Sequence, residues 1–100
     1  MNDAVDSAQM RDQGLPRNTP TWARELQRAG YRTALVGKWH LGSMPEFFPT
    51  RFGYDYFYGF VGGSNRPKNP GLTRDGNIRI VPGFTEDLLV DDAMNWLERN

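Results

Sequence analysis

The apolar positions of this chain change period from one stretch to the next, and the changes mark its elements. Trp22, Ala23, Leu26 and Ala29 fall at i, i+1, i+4 and i+7, one apolar stripe of a helix whose other side carries Arg24, Glu25 and Arg28. Thr19 and Pro20 predict the start: a threonine cap, then a proline whose missing N–H is not needed at the first helical position. Gly30 predicts the left-handed stop. Thr33, Ala34, Leu35 and Val36, bounded by Gly30 and Gly37, then predict a short, mostly buried strand. Such a strand needs parallel neighbours and covering helices. No second strand of that kind is obvious in the sequence, so its partners are expected outside it.

Residues 43–72 are rich in turn formers and aromatics. Phe47, Phe48, Phe52, Tyr54, Tyr56, Phe57, Tyr58 and Phe60 crowd together, and every even position from Phe52 to Phe60 is aromatic, a period of two. One reading is an apolar plug that anchors a long loop to the body. The other is a stacking wall for an aromatic or sugar substrate, with Gly62 and Gly63 letting the backbone come close. Asn69-Pro70-Gly71 predicts a turn, and Leu72 to Val81 a hairpin about Asp75-Gly76. After Pro82-Gly83, Thr85 is placed to cap a last helix with Glu86 and Asp87 in its first turn and Leu89, Ala93, Trp96 and Leu97 on its apolar face. Asp91-Asp92 fits the solvated face of that helix better than a metal site, since adjacent helical residues project about 100° apart. Residues 1–18, without an aromatic and with Gly14-Leu15-Pro16, predict a loosely structured lead-in.

Composition narrows the chemistry. Lysine plus arginine equal aspartate plus glutamate at 12 each, so no electrostatic footprint for nucleic acid or an anionic membrane is expected. No run approaches the roughly 20 apolar residues of a membrane helix. The chain has no cysteine, which removes disulfides, thiolate nucleophiles and zinc–thiolate sites. Oxygen and imidazole chemistry remain.

Lys38 and His40 lie just beyond the predicted strand, at the carboxyl end where open α/β sheets bind ligands. If the backbone stays extended, both side chains share one side and Trp39 takes the other. His40 is the sole histidine, so any imidazole acid or base in this chain is this one; a lone histidine is more often structural. The adjacent cation and the flanking Gly37 and Gly42, read as clearing space, favour a role. An ammonium offers charge and three donors to a sulfate or phosphate oxygen, and an imidazole can orient a nucleophile or pass a proton to a leaving oxygen.

Gly30 to Gly42, Gly-Tyr-Arg-Thr-Ala-Leu-Val-Gly-Lys-Trp-His-Leu-Gly, closely resembles the second signature of the sulfatase family, enzymes of the alkaline-phosphatase-like α/β fold. Leu15-Pro16 and Thr19-Pro20-Thr21 are similar to the family's approach to the preceding helix. Phe48 to Phe60 is similar to its Pro-Thr-x-x-Gly-Phe-Asp-x-Phe-x-Gly-Phe stretch, and Gly83 to Asp87 to its Gly-Tyr-x-Thr-Asp helix start. The resemblance implies a partial sulfatase domain over residues 1–100. It implies hydrolysis of a small-molecule or sugar sulfate ester by a formylglycine nucleophile, with a divalent cation, usually calcium, on the sulfate. By the same resemblance Lys38 is the catalytic, sulfate-binding lysine, and His40 is the catalytic histidine beside the formylglycine that assists sulfate release. The family's Cys/Ser-x-Pro-x-Arg segment and its metal-holding aspartates have no match here: Ser7 to Arg11 lacks the proline, and Asp91-Asp92 matches neither aspartate segment. An internal fragment, inactive alone, is therefore expected. A phosphodiesterase or phosphonate hydrolase on the same fold, and a non-catalytic module built on the aromatic cluster, are the alternatives.

Overall fold

The structure is a computed structural model and describes residues 13–63 and 65–100. Ser7 to Arg11 and most of the expected lead-in lie outside these residues. Within them, Gly14 bridges Gly42 and the Leu15 N–H donates to Leu41 O at 2.8 Å.

Helix α1 runs Trp22–Arg28, where the stripe predicts it, but its cap is Thr21, not Thr19. The Thr21 hydroxyl accepts the Arg24 N–H at 3.1 Å and donates to Phe52 O. Thr19 is spent on a turn, its hydroxyl and its N–H both donating to Pro16 O. Of the expected apolar stripe only Ala23 is buried, and Trp22 is 87% exposed.

Strand β1, Ala34–Lys38, is half-buried rather than mostly buried. Its parallel partner is within the chain: the aromatic run forms strand β2, Tyr56–Phe60, in the register Ala34↔Tyr56 to Lys38↔Phe60. Aromatic residues suit a pleated surface, and Phe57, Tyr58 and Gly59 are buried in succession, as in a strand covered on both faces. Half of the cluster is thus strand, while Phe47, Phe48, Phe52 and Tyr54 lie in the loop before it, where the buried Phe52 anchors that loop as the plug reading expects. The connection between the strands, residues 39–55, holds two short 3₁₀ turns, Pro45–Phe47 and Pro49–Arg51.

Strands β3, Gly71–Arg74, and β4, Asn77–Ile80, form the expected hairpin and extend the sheet antiparallel in the order β1-β2-β3-β4. Asp75 and Gly76 have φ of 52° and 80°, the mirror-image turn that matches strand twist. Among the described residues β1 is an edge strand, its outer edge unpaired.

Helix α2, Thr85–Arg99, packs against β1 and β2. Its cap position is Phe84, not Thr85; the Thr85 hydroxyl instead donates to Arg66 O at 2.5 Å. This bond, with Asn69 N–H to Gly83 O at 2.7 Å, ties the β2–β3 loop to the start of the helix. Leu89, Ala93 and Trp96 are half-buried as expected, but Leu97 is exposed and Asp92 is buried. The helix turns Asp92, and not a solvated pair, toward the sheet, because Tyr56 and Arg74 are there to receive it.

Candidate active site

Two backbone hydrogen bonds carry the pairing of β1 and β2 past the end of the strands: Trp39 N–H to Phe60 O and His40 N–H to Val61 O, each 3.0 Å. They set how the Lys38-Trp39-His40 tip leaves the sheet. His40 has φ of 56°, in the left-handed region that non-glycine residues occupy only when their surroundings hold them there. The extended backbone assumed from the sequence therefore ends before His40, and strand alternation does not decide where its ring lies.

Trp39 anchors the tip. Its indole N–H donates to Phe47 O at 2.7 Å, and its ring meets Phe52 and Tyr54 at centroid distances of 5.9 and 6.2 Å, the second edge-on. Phe52 is 1% exposed, so the indole rests on the most tightly packed aromatic of the core. With Trp39 held inward, Lys38 and His40 are both exposed. Neither takes part in the ion pairs of the described residues, Arg28–Glu25 and Arg74–Asp92. An exposed ammonium and imidazole at a strand's carboxyl end can meet an anionic ligand without first breaking a contact within the protein.

The glycines do different work from that expected. Gly42 and Gly14 leave room for the Phe47 ring, and Gly37 lies opposite Gly59 where the two backbones approach. The glycine that makes room for His40 is Gly63: a Cβ there would fall 2.8 Å from both Cε1 and Nε2 of the imidazole. Its pairing with Gly62 was a visible sign of close approach, but nothing in the sequence names the ring it approaches.

Asp55 braces the base of the same strands. Its carboxylate accepts the Thr33 N–H at 2.9 Å and the Gln27 side-chain amide at 2.7 Å, linking α1 to the starts of β1 and β2. The Thr33 bond first, then the Gln27 bond, hold its carboxyl below the usual carboxylate range. A groove of about 380 Å³ bounded by Phe48, Arg51, Asp55, Tyr56 and Asp75 lies at this other end of the strands and does not include Lys38 or His40.

The calcium implied by the resemblance finds no ligand set among the described residues, where no three His, Asp or Glu side chains converge. Asp92 is committed to Tyr56 and Arg74, and Asp91 lies exposed beside it. The described residues do not fit the ion. No helix of the described residues is long and apolar enough to cross a membrane.

Known proteins resemble this chain in both sequence and fold. Arylsulfatase G of Mus musculus is 48% identical over 95 residues, spanning 85% of this chain and 18% of the relative. N-acetylglucosamine-6-O-sulfatase of Bacteroides thetaiotaomicron is 35% identical over 81 residues, spanning 78% of this chain and 13% of the relative. A solved structure of a protein in complex with its substrate D-glucosamine-2-N,6-O-disulfate superposes with a TM-score of 0.72 at 30% identity, covering 90% of this chain and 17% of that one. The chain spans only 9% to 18% of the length of its curated relatives. The sulfatase family model matches residues 2–100, so with its mixed sheet and the Lys38-Trp39-His40 tip this chain belongs to the sulfatase family, as part of an alkaline-phosphatase-like α/β domain.

Proposed function

We propose that this chain supplies the sulfate-binding cation and the active-site imidazole of a sulfuric ester hydrolase acting on small-molecule or sugar sulfates, and that it is inactive alone. The observation that carries the reading is the tip itself: Lys38 and His40 exposed at the end of β1, with Trp39 packed beneath them on Phe52. In this reading the Lys38 ammonium grips the sulfate oxygens and offsets charge on the leaving oxygen as the S–O bond breaks. The His40 imidazole orients the attacking group and moves the proton that lets product depart. Relatives named for aryl sulfates and for a 6-O-sulfated sugar support the substrate class. In this reading the nucleophile, a formylglycine by family resemblance, and the calcium ligands are supplied by parts of a sulfatase domain other than the described residues.

The test is made in the complete polypeptide that carries this segment, with a nitrophenyl sulfate and glucosamine 6-O-sulfate as substrates. Lys38→Ala and His40→Ala are each expected to lower kcat/KM by about a hundredfold or more. Wild-type turnover in either variant overturns the assignment, and faster cleavage of a nitrophenyl phosphodiester than of either sulfate replaces it with the phosphoesterase reading.

A further inference from the structure

We infer that Gly63 is a positioning residue for His40, the residue whose missing side chain fixes where the imidazole stands; this rests on the catalytic reading of His40. The ring is confined from two directions. Its backbone is held left-handed, φ 56°, by the bond from His40 N–H to Val61 O. Two residues beyond Val61, the bare Cα of Gly63 lies along the Nδ1–Cε1–Nε2 side of the ring, where an added Cβ would come within 2.8 Å of Cε1 and Nε2 and 3.2 Å of Nδ1. The loop that leaves β2 thus grips His40 twice, once at the main chain and once at the ring.

The physical consequence separates position from stability. The obstacle to a Cβ at residue 63 is the end of an exposed side chain, which can rotate away, rather than backbone. A substitution here costs the fold little and costs the ring its place. Gly62 is the internal control. It lies in the same loop, and a Cβ there would meet nothing within 4 Å.

Gly62→Ala and Gly63→Ala are compared in the complete polypeptide. Misplacing a catalytic group by about 1 Å can cost a hundredfold, so Gly63→Ala is expected to lower kcat by about tenfold to a hundredfold with KM and melting temperature little changed, while Gly62→Ala matches wild type. The imidazole ¹⁵N resonances identified by their loss in His40→Ala should shift in Gly63→Ala and stay in place in Gly62→Ala. Wild-type kcat and unshifted resonances in Gly63→Ala overturn the inference. A measurement on the unaltered protein stands apart from any folding defect: an Overhauser contact between the Gly63 Hα protons and His40 Hε1 is expected, and its absence overturns the inference as well. If His40→Ala retains activity while that contact is seen, the catalytic reading fails and the positioning of the ring stands.

Discussion

Asp92 accepts hydrogen bonds from the Tyr56 hydroxyl, at 2.7 Å, and from the Arg74 guanidinium, with 7% of its surface exposed. Arg74 in turn lies over the Tyr58 ring, 4.3 Å from its centroid, so one carboxylate on α2 is joined to Tyr56 of β2 directly and to Tyr58 of β2 through one arginine of β3. Asp92→Ala leaves the tyrosine hydroxyl and the arginine without their acceptor; the expected loss is about 1–3 kcal/mol, read from urea unfolding. Burial first, then the bond to Asp92, pushes the Tyr56 hydroxyl up to about 12. Its folded value exceeds its unfolded value near 10, so the folded state holds the proton more tightly. The stability this contributes is complete below about pH 10 and is lost as pH rises to about 12. Tyr56→Phe should lose less stability than the parent protein between those values, and an equal loss in both would show that this hydroxyl is not responsible. Asp91-Asp92 reads as a solvated pair because neither residue carries a mark of what it will face.

At the scale of elements, the parallel pairing of β1 and β2 depends on a glycine opposite a glycine. Gly37 and Gly59 are register partners, and a Cβ on Gly59 would collide with the Gly37 carbonyl oxygen. Unlike the imidazole beside Gly63, a backbone carbonyl within a sheet has nowhere to go. Gly59→Ala is therefore expected to destabilise the protein by about 3 kcal/mol, with a lower urea midpoint, and to lower activity with it. An unchanged midpoint would mean that the strands do not approach as described. The elements with their own local signals were legible in the sequence: α1 from its stripe, β1 from its β-branched run between glycines, the β3–β4 hairpin from Asp75-Gly76, α2 from its acidic first turn. The strand β2 was not read as such, although its period of two is plain, because eight aromatics among turn formers read equally well as a loop anchored by its side chains.

For the whole molecule, the balance of burial is the governing fact. Among the described residues the buried core is Ala23, Phe52, Phe57, Tyr58 and Leu72 together with Pro49 and Pro70, while Trp22, Tyr31, Ile78, Ile80, Val90, Met94 and Leu97 all stand more than half exposed. Apolar surface of that extent is what neighbouring parts of a domain cover. At about 25 cal/mol per Å² its burial contributes much of a domain's stability. The 100-residue chain alone is expected to bind a hydrophobic dye, to melt without a cooperative near-ultraviolet circular dichroism transition, and to turn over no sulfate ester. A sharp melt from a dye-free monomer would instead favour a self-sufficient interaction module, and measurable turnover would overturn the expectation of inactivity.

What the amino-acid order determined by itself is whatever depends on neighbours along the chain: the helical stripe, the turn with two positive φ angles, and the run from Gly30 to Gly42 whose likeness to the sulfatases the family match bears out. Only the tertiary structure decided that Asp92 faces Tyr56 and Arg74, that the helix cap belongs to Thr21, and that Gly63 is the glycine beside His40. The Asp92 and Gly63 contacts, and the bond from the Thr21 hydroxyl to Phe52 O that accompanies its cap, join residues far apart in sequence, and which of several similar glycines, threonines or aspartates makes them depends on strand register and on packing, neither of which is written at any one position.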